Sequence, residues 1–350
     1  SPSGGTNIWK GLQQCMECAG KPDDDGLMTS IYMLTDGEPT VRPPRGEKTM
    51  FDNLLNKYQE DNGKRYPVPV NFMGFGYKLE IELINWFTKN TYGNFNFIPD
   101  IGFMGTVIVN AIADIMSCWT SSLQVIIEPK EGFEIDSNFY SGFEKQNYGD
   151  WIEYNLGSAN ISFDKPLQFK ILNKHTGQPS CSWDDCEFKV RYLNPSNYHM
   201  DTIDPLTITD DTDNKNLELN NIRLNCSDKI EKAFLKTCSN NFADAITDID
   251  EAIDMCKVSD YSQDDYVKDC IIDLDGEIKL AFTDSKNFNK WGKYYGVSYT
   301  DAIKNLKCNN FKDKLINHFG GEVFDTIRDE IDNNFNNLPA PVPSCVSNYN

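Results

Sequence analysis

The sequence predicts a multidomain chain of α/β, then β, then α character: a parallel α/β layer over residues 1–119, a β-rich, sandwich-like part over 120–196 and an acidic helical part over 220–338. Three observations predict it. Apolar runs of strand length alternate with helical spacing as far as Trp119. The apolar period then shortens to two, with Gly, Pro and Asn as breaks, and from Asn220 onward helical spacing returns.

Residues 6–19, TNIWKGLQQCMECA, repeat apolar side chains at Ile8, Leu12, Cys15 and Met16, the spacing of one helix face. SIYMLTDG (30–37) is a short apolar run that stops in a turn, as a buried strand does. FDNLLNKYQED (51–61) is helical, and VPVNFMGFG (68–76) is a second buried strand ending on glycine. EIELINWFTKN (80–90) is helical, and GNFNFIPD (93–100) alternates Phe95 and Phe97 as a strand. GTVIVNAIADIMSCW (105–119) is the last helix of the layer. This alternation predicts a parallel sheet with helices on both faces.

Residues 120–196 hold SLQVIIEPKEG, DWIEYNLG, ANISFDKPLQFKILN and CEFKVRYLN, which fit an antiparallel sandwich or sheet. Residues 197–219 are acidic and turn-rich and read as a linker. Ile230, Phe234, Leu235 and Cys238, then Phe242, Ile246, Ile249 and Ile253, repeat at helical spacing. Residues 339–350 read as an extended, Pro-rich tail.

Charge narrows the partners. The chain of 350 residues carries a net charge of −20, and from residue 201 onward 28 acidic residues face 16 basic ones. Such a field repels phosphate backbones and anionic lipid and suits cations and basic protein surfaces. No run of about 18 apolar residues spans a membrane, and no leader is visible in this chain. The eleven cysteines are odd in number and irregularly spaced. Cys118, Cys238, Cys256 and Cys270 sit in apolar helical patterns, so they read as buried free thiols in a reducing, intracellular compartment.

The chemistry-bearing signals are GGTN (4–7) and LTDGEP (34–39). Asp36 falls at the carboxyl end of its strand, where open α/β sheets bind ligands, and Thr6 falls at the amino end of a helix on the same edge. A hydroxyl and a carboxylate are oxygen ligands, which match Mg²⁺, with Ca²⁺ and Mn²⁺ as the alternatives.

TNIWKGL, MLTDGEPT, FMGFGYKLEIELINWF and GNFNFIPDIGFMGTVIVNAIADIM resemble the last two-thirds of a von Willebrand factor type A (vWA) domain. NKWGKYYGVSYTDAIKNLKCNNFKDKLINHFGGEVF (289–324) and NNLPAPVPS (336–344) resemble the Vint, or intein-associated (Vwaint), region that accompanies one vWA subfamily. The resemblance implies a Rossmann-like parallel sheet and a metal-ion-dependent adhesion site built on three loops. Thr6 matches the second loop and Asp36 the third. The first loop, Asp-x-Ser-x-Ser, and the strands around it are absent from this sequence. The resemblance therefore implies a fragment of a longer domain, or a partner strand that fills the unpaired edge of the 30–37 strand.

The expected function is protein–protein interaction, with a partner's Asp or Glu completing a divalent metal at Thr6 and Asp36, and no enzymatic activity. One alternative is a metal-free structural component of a cytoskeletal, ciliary or viral assembly. Another is the substrate-recognition part of a ubiquitin ligase.

Plainer readings stand beside these. Asp36 before Gly37 fits an ordinary turn, and Thr6 fits a helix N-cap. Cys15, Cys18, Cys181 and Cys186 lack the spacing of a zinc knuckle. TDDTDNKNLE (209–218) and DLDGEI (273–278) lack the ligand spacing of a calcium loop. His318 reads as a packed or capping residue. No nucleophile–base signature and no Gly-rich phosphate loop is present.

Overall fold

The computed structural model describes residues 5–21, 28–180, 182–203, 214–310 and 312–337. The first layer runs α1 (Ile8–Ala19), β1 (Ile31–Thr35), α2 (Glu47–Asn62), β2 (Val70–Phe75), α3 (Ile81–Thr91), β3 (Phe95–Ile98) and α4 (Ile101–Ser117). Its strands pair in parallel in the order β1-β2-β3, as the alternating pattern predicts, with Ile31 opposite Val70 and Phe72 opposite Phe95.

Successive strand side chains leave on opposite faces, and two cores follow from that. Ile31, Val70, Phe72 and Phe95 pack with Leu12 of α1, Phe51 of α2 and Phe87 of α3. Met73 and Ile98 pack on the other face with Val107 and Ala111 of α4. In α1 the indole of Trp9 widens the buried stripe beside Ile8, Leu12 and Met16. Cys15, expected on that stripe, falls at its margin and is exposed.

The β-rich part begins without a break from α4. A five-stranded antiparallel sheet has the order β11-β10-β4-β7-β6, from β4 (Cys118–Pro129), β6 (Glu144–Asn147), β7 (Ile152–Asn160), β10 (Cys186–Leu193) and β11 (Met200–Ile203). A three-stranded sheet holds β5 (Phe133–Ile135), β8 (Ile171–Asn173) and β9 (Pro179–Ser180) in the order β5-β8-β9. Ile127 and Tyr154 of the first sheet and Ile135 and Ile171 of the second share one core.

The linker reading of 197–219 is corrected at both ends. Residues 200–203 are strand, paired with Val190–Leu193 of β10, and residues 214–219 open a long helix. Ladder hydrogen bonds and helix packing, which a window of acidic and turn residues does not advertise, decide both. The middle of that segment, residue 181, residues 1–4 and the Pro-rich tail lie outside the described residues.

The C-terminal part contains α5 (Asn214–Cys238), α6 (Phe242–Val258), α7 (Asp265–Asp273), α8 (Lys279–Phe282), α9 (Ser285–Asn287), α10 (Lys293–Asn305) and α11 (Gly321–Asn336). Two π-helical turns, Leu274–Ile278 and Phe288–Gly292, interrupt this series. The core gathers Ile230, Ile249, Ile253, Phe282 and Ile303. Cys256 and Cys270 are buried as expected, but Cys118 is half-buried and Cys238, on the last turn of α5, is exposed.

The helical part does not stand apart from the sheet. α10 lies along the outer edge of β3, where the Ser298 hydroxyl accepts from Phe97 N–H at 3.1 Å. Asn305 donates to Asn94 at 2.8 Å. A helix covering a strand edge removes a site for unwanted pairing. The opposite edge, along β1, has no partner strand among the described residues. No described helix is long and apolar enough to cross a membrane.

Candidate functional site

The three parallel strands end together at Thr35, Phe75 and Ile98, so the loops that follow them share one edge with the amino end of α1. Backbone bonds draw two of these segments together. Thr6 N–H donates to Thr40 Oγ1 at 2.7 Å, and the Thr6 carbonyl accepts from Thr40 and Val41 N–H at 2.9 and 3.1 Å. A Cβ at Gly5 would meet Thr40 Oγ1 at 2.3 Å, so the hydroxyl that holds Thr6 N–H would have to move aside. The structure thus brings the Thr6 segment against the loop that follows Asp36.

The cap of α1 is not Thr6. Asn7 fills that role, its Oδ1 accepting from Lys10 N–H at 2.9 Å. Asp36 is exposed, and the turn at this point is tied by Thr35, whose Oγ1 donates to the Gly37 carbonyl at 3.1 Å. Thr6 and Asp36 offer one hydroxyl and one carboxylate, against the six oxygens of a Mg²⁺ shell. These two residues do not amount to a divalent-cation site by themselves.

The same edge carries a feature that neither loop motif signals. A cleft of about 310 Å³ opens between the ends of β2 and β3 and the helices after α7. Its sheet-side wall is Tyr77 and Phe97, in edge contact at 5.9 Å. Its helical wall is Trp291 and Tyr295, at 5.6 Å from each other. Glu277, Asp313 and Asp100 add three carboxylates, and Lys312 adds one ammonium.

Each charged group is held in place. Lys312 Nζ pairs with Glu277 at 2.7 Å. Asp313 is buried, accepting from the Tyr295 hydroxyl at 2.7 Å and from Asn310 Nδ2 at 2.9 Å. Burial raises the Asp313 carboxyl above the ordinary range, and the two donors oppose that rise. Behind it, Asp273 accepts from the backbone N–H of Lys314 and Leu315 and from the Tyr299 hydroxyl, which fixes the segment carrying Asp313.

An aromatic-walled cleft with excess carboxylate attracts an organic cation, through the negative ring faces and through simple charge. DLDGEI, set aside above as a calcium loop, is the π-helical turn that supplies Glu277. His318 is a surface residue, bonded to Asp269 at 2.8 Å and set edge-on to Tyr266, so it lies outside this cleft. Trp291 and Tyr295, in WGKYYG, are the part of the site that a sequence reader could have flagged.

Comparison with known proteins adds the following. Residues 264–333, from α7 into α11, match the family model described as VWA / Hh protein intein-like (Vwaint). That match includes Glu277, Trp291, Tyr295 and Asp313. Among solved structures, a von Willebrand factor type A protein from Catenulispora acidiphila is 13% identical, with a TM-score of 0.49 over 77% of this chain and 63% of that one. The ArnB paralog VWA2 from Sulfolobus acidocaldarius is 10% identical, with a TM-score of 0.41 over 88% of this chain and 72% of that one. The chain therefore spans less than two-thirds of the length of the first of these. No curated protein matches the sequence.

Proposed function

We propose that this vWA-type chain is a protein-interaction module rather than an enzyme, and that it engages a basic side chain of a protein partner at the carboxyl edge of its parallel sheet. The observation that carries this reading is the cleft walled by Tyr77, Phe97, Trp291 and Tyr295 and lined by the carboxylates of Glu277, Asp313 and Asp100. Its volume suits a single side chain or a small ligand more than a flat protein face. The chain's net charge of −20 supports the same choice, because it steers positively charged surfaces toward the molecule. Thr6 and Asp36 lie on the same edge and enter this reading as contact residues. In its metal-dependent form they are two ligands of a Mg²⁺ ion whose remaining oxygens come from elsewhere.

The test is a titration with short Lys- and Arg-containing peptides, read by tryptophan fluorescence and by calorimetry. Saturable binding is expected that weakens with salt and is lost in Trp291→Leu, and weakened in Glu277→Gln. Acidic peptides of equal length are expected to give no signal. Equal binding by the Trp291→Leu chain, or no saturable response to any basic peptide, overturns the proposal.

A further inference from the structure

Away from the cleft, three cysteines from three different helices meet in the helical core. Cys226 of α5, Cys256 of α6 and Cys270 of α7 are each fully buried. Their sulfurs lie 3.6 Å (Cys226–Cys270), 3.8 Å (Cys226–Cys256) and 4.0 Å (Cys256–Cys270) apart. These separations define a point about 2.2 Å from all three sulfurs, near the length of about 2.3 Å for a zinc–thiolate bond. Among the described residues this is the one group of three or more His, Cys, Asp or Glu side chains whose ligand atoms converge.

From this geometry we propose that Cys226, Cys256 and Cys270 form a three-coordinate thiolate site for a soft monovalent cation, Cu⁺. Softness selects the ion, because an all-sulfur donor set favours Cu(I), zinc or iron–sulfur chemistry over Mg²⁺ or Ca²⁺. Coordination number then separates these. A structural zinc site closes with four ligands, and no fourth ligand of the usual kinds joins the three sulfurs among the described residues. The surroundings are apolar, with Ile222, Ile230, Ile253 and Ile278 in the same core. Three thiolates around one Cu⁺ carry a net charge of −2, a cost in this apolar core that the three metal–sulfur bonds must exceed.

Binding forms Cu–S bonds, and each thiol that binds gives up its proton to solvent. Copper stays monovalent throughout, so no oxidant or reductant takes part. Because all three sulfurs are sealed from solvent, the ion enters as the helices assemble or when they open locally. The site is structural: it clips α5, α6 and α7 together. Uptake by the folded apo chain is therefore slow, and uptake during refolding is fast.

The test uses the full chain, kept anaerobic, with the exposed Cys15, Cys18 and Cys238 replaced by serine so that they do not compete. Cu⁺ is supplied as its acetonitrile complex against a chromogenic copper(I) chelator. The expected result is one copper retained per chain, three sulfur neighbours by X-ray absorption and a higher melting temperature. Cys256→Ser is expected to lose the bound ion, and Cys256→Ala, which keeps an apolar wall, separates that loss from misfolding when both variants retain the helical circular dichroism of the parent. Overturning results are no copper retained beyond the level of the Cys256→Ala chain, two sulfur neighbours instead of three, preferential retention of Zn²⁺ with four ligands, or a Cys226–Cys270 disulfide in the chain isolated without oxidant. A basic peptide that still binds the cleft in the Cys256→Ala chain leaves the interaction proposal standing on its own.

Discussion

At the scale of single residues, Asp273 ties the helical part to the cleft and does so at an electrostatic cost. It is only 5% exposed, and burial, the largest cause, pushes its carboxyl up to about 6 in spite of the backbone N–H groups of Lys314 and Leu315 and the Tyr299 hydroxyl that favour the ionised form. The sign of the linkage follows. In the unfolded chain this carboxyl titrates near 4, so the folded state holds the proton more tightly. The resulting stabilisation is complete below about pH 4 and is lost as pH rises through about 6. Asp273→Asn removes this contribution. Urea unfolding of the variant should show a shallower fall in stability between about pH 4 and pH 6, with a difference on the order of 2 kcal/mol across that window. An unchanged pH slope in the Asn chain would place the titration elsewhere.

At the scale of elements, the turn into β3 is set by one close approach. A Cβ on Gly93 would lie 1.8 Å from the Val70 carbonyl oxygen, a backbone atom that cannot swing aside. Gly93→Ala must therefore separate the start of β2 from the loop that feeds β3, and with it the ladder from Phe72–Phe95 to Phe75–Ile98. A loss of roughly 3 kcal/mol or more is expected, in line with other changes that force a packed backbone apart. Gly37→Ala, where a Cβ meets nothing within 4 Å, is the control and should shift the melting temperature little. The contrast also shows what a sequence carries. SIYMLTDG, VPVNFMGFG and GNFNFIPD announced β1, β2 and β3, because a buried parallel strand needs an uninterrupted apolar run whatever surrounds it. Met200–Ile203 did not announce β11, because four residues among acids become a strand only when β10 offers its edge. Helical spacing alone could not say that α5 turns Cys226 inward and Cys238 outward. Thr6 and Asp36 were visible as loop residues. The cleft was not, because Tyr77 and Phe97 are separated from Trp291 and Asp313 by about two hundred residues and meet only through the docking of α10.

At the scale of the whole molecule, that docking decides whether the chain unfolds as one body or as parts. Tyr294 is 2% exposed and belongs to the core of the sheet layer although it is carried by α10. Its ring stacks on Phe97 with centroids 5.6 Å apart, and its hydroxyl donates to the Tyr77 carbonyl at 3.0 Å. Val297 joins the same core, and Ser298 and Asn305 cap the polar edge of β3 beside it. The sheet layer thus lacks a finished edge without α10, and α10 is itself anchored in the helical core through Tyr299, Ala302 and Ile303. Two layers that share an element in this way should open together. Tyr294→Ala removes an aromatic side chain from the join, at a cost of about 3–5 kcal/mol. Hydrogen exchange measured by mass spectrometry should then show faster opening of Val70–Phe75 and of Phe242–Val258 by the same factor, although the second segment packs in the other core. Faster exchange confined to the sheet would mean that the helical part is a separate folding unit. The cleft would then be a junction between two units that can part, rather than a rigid site built into one body.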